Sequence, residues 1–165
     1  MLSGVCEALA AEGTRLTLLS RRASAWRGAV VEAFDCDYRD EAGFASAVDA
    51  AVAHSGPVDV AVAWFHSVRL PANRRLAERI GAGTLVQVLG SATADPAHPD
   101  RLETARAVAE GLRCRLRQVV LGFQVEAGRS RWLTDREISL GVLGAVHRDD
   151  LVTVVGSVEP WSARP

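Results

Sequence analysis

Strand-length apolar runs and helix-length amphipathic runs alternate along the entire chain, and that alternation restricts the fold more than any other feature. The opening stretch "MLSGVCEALAAEG" has Leu2, Val5, Leu9 and Ala8 at helical spacing, and Gly13 stands where a C-cap glycine belongs. "TRLTLLS" then reads as a buried strand, followed by the polar link "SRRASAWRG" and a second strand in "AVVEAFDCDYRD". "EAGFASAVDAAVAHSG" keeps Phe44, Val48 and Val52 on one helical face. "PVDVAVAWFHS" is almost uninterruptedly apolar, as expected of a strand covered on both faces, and is expected to be the most buried one. The pattern continues with the helix "NRRLAERIG", the strand "TLVQVLGSATAD", the helix "PDRLETARAVAEGLR" and the strand "LRQVVLGFQVE". It closes with "TDREISLGVLGAVHR", whose Thr134 and Glu137 have capping-box spacing, and the strand "DLVTVVGSVEPW". The order α-β-β-α-β-α-β-α-β-α-β with short connections predicts a doubly wound, mainly parallel α/β sheet in one domain spanning residues 1–165.

Composition narrows the chemistry. A formal net charge of −1 gives no electrostatic reason to bind nucleic acid or an anionic membrane. No apolar run is long enough to span a bilayer and no signal peptide precedes the first helix, so the expected location is cytoplasmic. Cys6, Cys36 and Cys114 are odd in number and widely spaced, which argues against a disulfide framework or a zinc site. All 19 basic residues other than histidine are arginines. Without a lysine the chain has no Schiff-base chemistry and no P-loop lysine, and with Tyr38 as its single tyrosine it cannot field a Tyr–Lys pair.

In doubly wound sheets ligands bind outside the carboxyl ends of the strands, so those ends carry the informative residues. Ser20, Arg21 and Arg22 end the first strand, where a dinucleotide fold meets the adenosine ribose; guanidinium forks there suit a 2′-phosphate and favour NADP(H) over NAD(H), although two loop arginines also read as solvated surface. Asp37 is placed to accept from an adenine amino group with the Tyr38 backbone beside the ring, or to serve simply as a turn residue. Trp64, His66 and Ser67 follow the next apolar strand, where Trp64 reads equally as core, and His66 as a ribose donor, a proton carrier or a satisfied structural histidine. Ser91 ends the strand after that, and nothing around it forms a nucleophile elbow or a triad.

Together these residues resemble the short-chain dehydrogenase/reductase family, specifically its small atypical members. "TRLTLLSRR" is similar to the family's second strand with NADP-selecting arginines, "FDCDYRD" to its acidic loop, "PVDVAVAWFHS" to its fourth strand, and "LVQVLGSAT" to the strand that carries its catalytic serine, at Ser91. The resemblance implies a Rossmann-like, NAD(P)-binding fold over nearly the whole chain. It also exposes three departures. Only "MLSG" is left of the glycine-rich turn, with Leu2 as its cofactor-side residue, so the first, central strand is expected to be missing and the strands ending at Ser20 and Trp64 to flank an unpaired gap. The asparagine-alanine-glycine signature is replaced by Ala63-Trp64-Phe65-His66-Ser67. Where the family has its tyrosine and lysine, this chain has Thr104 and Val108.

Two functions follow as expectations. One is an NADP(H)-dependent oxidoreductase acting on an unidentified small molecule, with Ser91 or His66 polarising the reacting carbonyl or hydroxyl; the other is a non-catalytic dinucleotide-binding sensor or regulatory protein. A serine hydrolase on a similar sheet is a distant third. Exposed strand edges leave a homo-oligomer open.

Overall fold

The computed structural model describes residues 1–29, 32–66 and 70–165. Val30 and Val31 of the second expected strand, and Ser67 after the third, lie outside the described residues. Helix α1 (Ser3–Ala11) leads through Gly13, at φ 81°, into β1 (Thr17–Ser20), which pairs in parallel with β2 (Glu32–Asp35), Leu19 opposite Phe34. Helix α2 (Glu41–Ser55) is N-capped by Asp40, whose carboxylate accepts from the Gly43 N–H, and stops at Gly56 with φ 82°.

A second sheet holds four parallel strands in the order β3 (Val60–Trp64), β4 (Thr84–Gly90), β5 (Arg115–Leu121) and β8 (Val152–Val155). Its register sets Ala63, Gln87, Gln118 and Val152 in one cross-strand row. Helices α3 (Leu70–Ile80), α4 (Arg101–Arg106) and α5 (Asp135–His147) provide the crossovers, and β6 (Phe123–Glu126) and β7 (Arg129–Trp132) form an antiparallel hairpin.

Period-two alternation divides the core between the two faces. Val86, Val88 and Val119 point to the side covered by α1 and α5, against Val5, Ile138 and Val142. Ala63 and Leu85 point to the other side, against Ala77, Ile80 and Val108. A third cluster, Phe44, Val48 and Ala72, joins α2 to α3 and takes in Leu19, Tyr38 and Phe65 at its rim. The doubly wound, mainly parallel α/β architecture is therefore the observed one, with helices on both faces.

Four local expectations need correction. The most buried strand is β4, buried from Thr84 to Leu89, whereas β3 buries only Ala63 fully. The reason is position: β4 is paired on both sides, and β3 has one edge without a ladder. "LRQVVLGFQVE" is two strands, because at Gly122 the chain passes so close to the Ser157 backbone that a Cβ would lie 2.0 Å from its carbonyl oxygen. The helix expected over "PDRLETARAVAEGLR" runs for only six residues, then tightens into a 3-10 turn at Ala107–Ala109 before Gly111 turns the chain at φ 71°. The hairpin was not foreseen; its reversal at Ala127 and Gly128 has positive φ at both residues, 49° and 76°, as a primed two-residue turn requires.

The β1–β2 sheet and the four-stranded sheet share no ladder among the described residues. Among the described residues β1 and β3 each have one edge without a ladder, as anticipated for the strands ending in Ser20 and Trp64.

Candidate functional site

The carboxyl ends of β3, β4 and β5 open into a cleft of about 290 Å³. Trp64 forms one wall and Gly90, Ser91 and Ala92 the floor, while Leu121, Gly122, Leu133 and Ile138 continue the lining to Trp132 and Arg164. Ser91 begins a 3-10 turn, Ser91–Ala94, held by the Thr93 hydroxyl donating to the Gly90 carbonyl at 2.8 Å. Its own hydroxyl is buried and accepts from Arg164 Nε at 2.9 Å.

The far wall is set by local chemistry in the hairpin and α5. Thr134 and Glu137 complete the capping box predicted from their spacing. Arg131 donates to both Glu137 oxygens, at 2.9 and 3.0 Å, and to Glu126. Those bonds, with the Thr134 N–H and hydroxyl, hold the Glu137 carboxyl down to about 2 and push the Arg131 guanidinium further up. The result is a braced hairpin that presents Trp132 to the cleft. A 3-10 turn at Trp161–Ala163 then brings Arg164 against two indoles, its Cζ 4.9 Å from the Trp132 ring centre and 5.1 Å from that of Trp161.

A second group of predicted residues gathers at the ends of β1 and β2. Ser20 is exposed, and its hydroxyl accepts from the Arg22 N–H at 3.3 Å. The side chains of Arg21 and Arg22 are exposed and have no hydrogen-bond or ion-pair partner among the described residues. Asp35 accepts from the Ser24 N–H at 2.8 Å and from its hydroxyl at 2.6 Å, which keeps its carboxyl below the ordinary range. Asp37 Oδ1 accepts from the Arg39 N–H at 3.0 Å, a local turn bond. Tyr38 packs on Phe65 with ring centres 4.9 Å apart and accepts from the His66 N–H at 3.3 Å.

Of the predicted catalytic pair, Ser91 lines the cleft together with Trp64, and Met1 joins them. His66 is exposed and stands edge-on to Trp64 at 5.7 Å, but it is not among the described residues lining the cleft. Leu2 occupies the N-cap position of α1 without a side-chain cap and packs against the core. Sequence reasoning missed Trp132, Trp161 and Arg164. The available signal was three of the four tryptophans falling at a strand end, before a capping box and in the last turn.

No family model matches the sequence, and no curated protein does. Solved structures do. A short-chain dehydrogenase from Burkholderia cenocepacia J2315 in complex with NADP aligns with a TM-score of 0.64 at 18% identity, over 94% of this chain and 83% of that one. A short-chain dehydrogenase/reductase from Serratia marcescens BCRC 10948 aligns with a TM-score of 0.62 at 20% identity, over 93% and 89%. An alcohol dehydrogenase from Thermococcus sibiricus, complexed with 5-hydroxy-NADP, gives 0.55 at 15% identity. This chain has the short-chain dehydrogenase/reductase fold.

Within the short-chain dehydrogenase/reductase fold, the structure locates the departures noted in the sequence. Thr104 is exposed on α4, Val108 is buried in the core beyond it, and neither lines the cleft beside Ser91. The single tyrosine lies in the α2–α3 cluster. Among the described residues there is no group of histidines, cysteines and carboxylates able to hold a metal, and no helix is long and apolar enough to cross a membrane.

Proposed function

We propose that this domain binds a nicotinamide dinucleotide, NADP(H) in preference to NAD(H), and acts as an oxidoreductase on a small molecule. The observation that carries the reading is the pair Arg21 and Arg22, exposed at the carboxyl end of β1 with guanidinium groups that have no protein partner among the described residues. A phosphate monoester offers what two such forks lack: a dianion with several acceptor oxygens. In this reading the adenosine side would meet the arginines and the edge formed by Asp37 and Tyr38, and the nicotinamide side the cleft with Trp64 and Ser91. When bound, the nicotinamide ring supplies or takes up hydride. Ser91 accepts from Arg164 through its oxygen and so keeps its own proton to donate to a substrate oxygen.

A second reading rests on Thr104 and Val108. With neither a tyrosine nor a lysine beside Ser91, proton relay lacks its usual groups, which favours a dinucleotide-binding sensor or regulatory protein. One experiment separates the two. NADPH is mixed with the protein and a panel of aldehydes and ketones, and nicotinamide absorbance is followed alongside binding. Enzyme-dependent loss of absorbance supports the oxidoreductase, binding without turnover supports the sensor, and neither binding nor turnover contradicts both.

A further inference from the structure

We infer that Arg164 is an anion-recognition residue, and that the cleft takes a small carboxylate with an apolar body. Three features of the geometry point to this. First, the guanidinium has an incomplete set of partners: Nε donates to the neutral Ser91 hydroxyl at 2.9 Å, two indole rings lie against Cζ, and no carboxylate pairs with it among the described residues. Other arginines near the cleft differ in this respect, since Arg131 is neutralised by Glu126 and Glu137. Second, the space beside it is apolar, lined by Trp64, Leu121, Leu133 and Ile138, and its volume of about 290 Å³ is just under the roughly 300 Å³ at which small-ligand sites begin. Third, the flanking indoles leave the guanidinium its in-plane N–H groups as donors. Such a fork takes a carboxylate through two parallel bonds, and the apolar lining beside it suits an acid that carries an apolar body, which inorganic phosphate lacks.

The inference deepens the proposed oxidoreductase by naming its substrate class, a carboxylate-bearing carbonyl or alcohol whose anionic end is held at Arg164. It does not need the dinucleotide to be tested. Cleft occupancy is read from tryptophan fluorescence in the 165-residue chain alone, using hexanoate, its uncharged counterpart hexanamide, and inorganic phosphate as probes. Hexanoate is expected to bind saturably and at least about tenfold more tightly than hexanamide, which loses the charge-assisted bond, and than phosphate, which has no apolar body to fill the cleft. Arg164→Gln should abolish that preference while still binding hexanamide, which shows that losing the Ser91 bond and the ring contacts has not closed the cleft. Arg164→Lys should retain only part of it, since an ammonium keeps the charge and loses the fork. Trp161→Ala, which removes one flanking ring, should weaken hexanoate and leave the charge preference in place. Equal binding of hexanoate and hexanamide, phosphate binding as tight as hexanoate, or a preference surviving in Arg164→Gln would overturn the assignment. Failure of NADPH to bind would contradict the oxidoreductase reading and leave the hexanoate result standing.

Discussion

Arg131 reaches both carboxylate oxygens of Glu137, at 2.9 and 3.0 Å, while the same carboxylate closes the capping box of α5. The folded state therefore holds Glu137 ionised down to about 2, against an ordinary value of 4.5. A carboxyl group depressed in this way stabilises the fold fully above its unfolded value and loses that contribution as pH falls through the folded one. Between pH 4.5 and 2 the melting temperature should consequently fall more steeply in the wild type than in Glu137→Gln. Parallel slopes for the two proteins across that window would show that the pair contributes nothing to folding.

Gln118 Nε2 donates to Gln87 Oε1 at 3.0 Å in the buried row shared by β4 and β5, and the remaining amide groups, Gln87 Nε2 and Gln118 Oε1, have no partner among the described residues. Removing one glutamine leaves the other wholly unpaired in an apolar setting, so Gln87→Leu alone should cost about 1–3 kcal/mol. Gln87→Leu/Gln118→Leu should be more stable than either single variant, because it removes both desolvated amides together. Denaturant melts of the four proteins check this; simple additivity of the two single losses would contradict it.

The legible part of this fold was its layered alternation, because the period-two strands and 3.6-period helices are written directly in residues such as Val86, Val88, Ile138 and Val142. Thr134 and Glu137 were equally readable, since a capping box is a local motif. What escaped was non-local. The break at Gly122 is imposed by Ser157, 35 residues onward in sequence, and Arg164 meets Ser91 across 73 residues. The burial of β3 was overstated because apolar content reports which faces are covered, whereas burial also depends on neighbours along the edge. Ser91 and Trp64 were found at their strand ends because the carboxyl-end rule is topological; Trp132 and Trp161 arrive from a hairpin and a terminal turn that the rule does not address.

The edges of β1 and β3 that carry no ladder lead to a prediction about association. Parallel apolar edges recruit further strands, so the 165-residue chain should self-associate with rising concentration and melt with low cooperativity. Size-exclusion chromatography and calorimetry across a concentration series test this. A monomeric, sharply melting 165-residue chain would contradict it.

Cofactor selectivity tests the account most directly. Calorimetric titration of NADPH and NADH should show NADPH bound more tightly by about 1–3 kcal/mol, from charge-assisted bonds to the 2′-phosphate. Arg21→Ala/Arg22→Ala should bring NADPH down to the affinity of NADH and leave NADH unchanged. If the double variant loses both cofactors equally, or if the wild type does not distinguish them, Arg21 and Arg22 are not a phosphate site and the proposed dinucleotide preference is wrong.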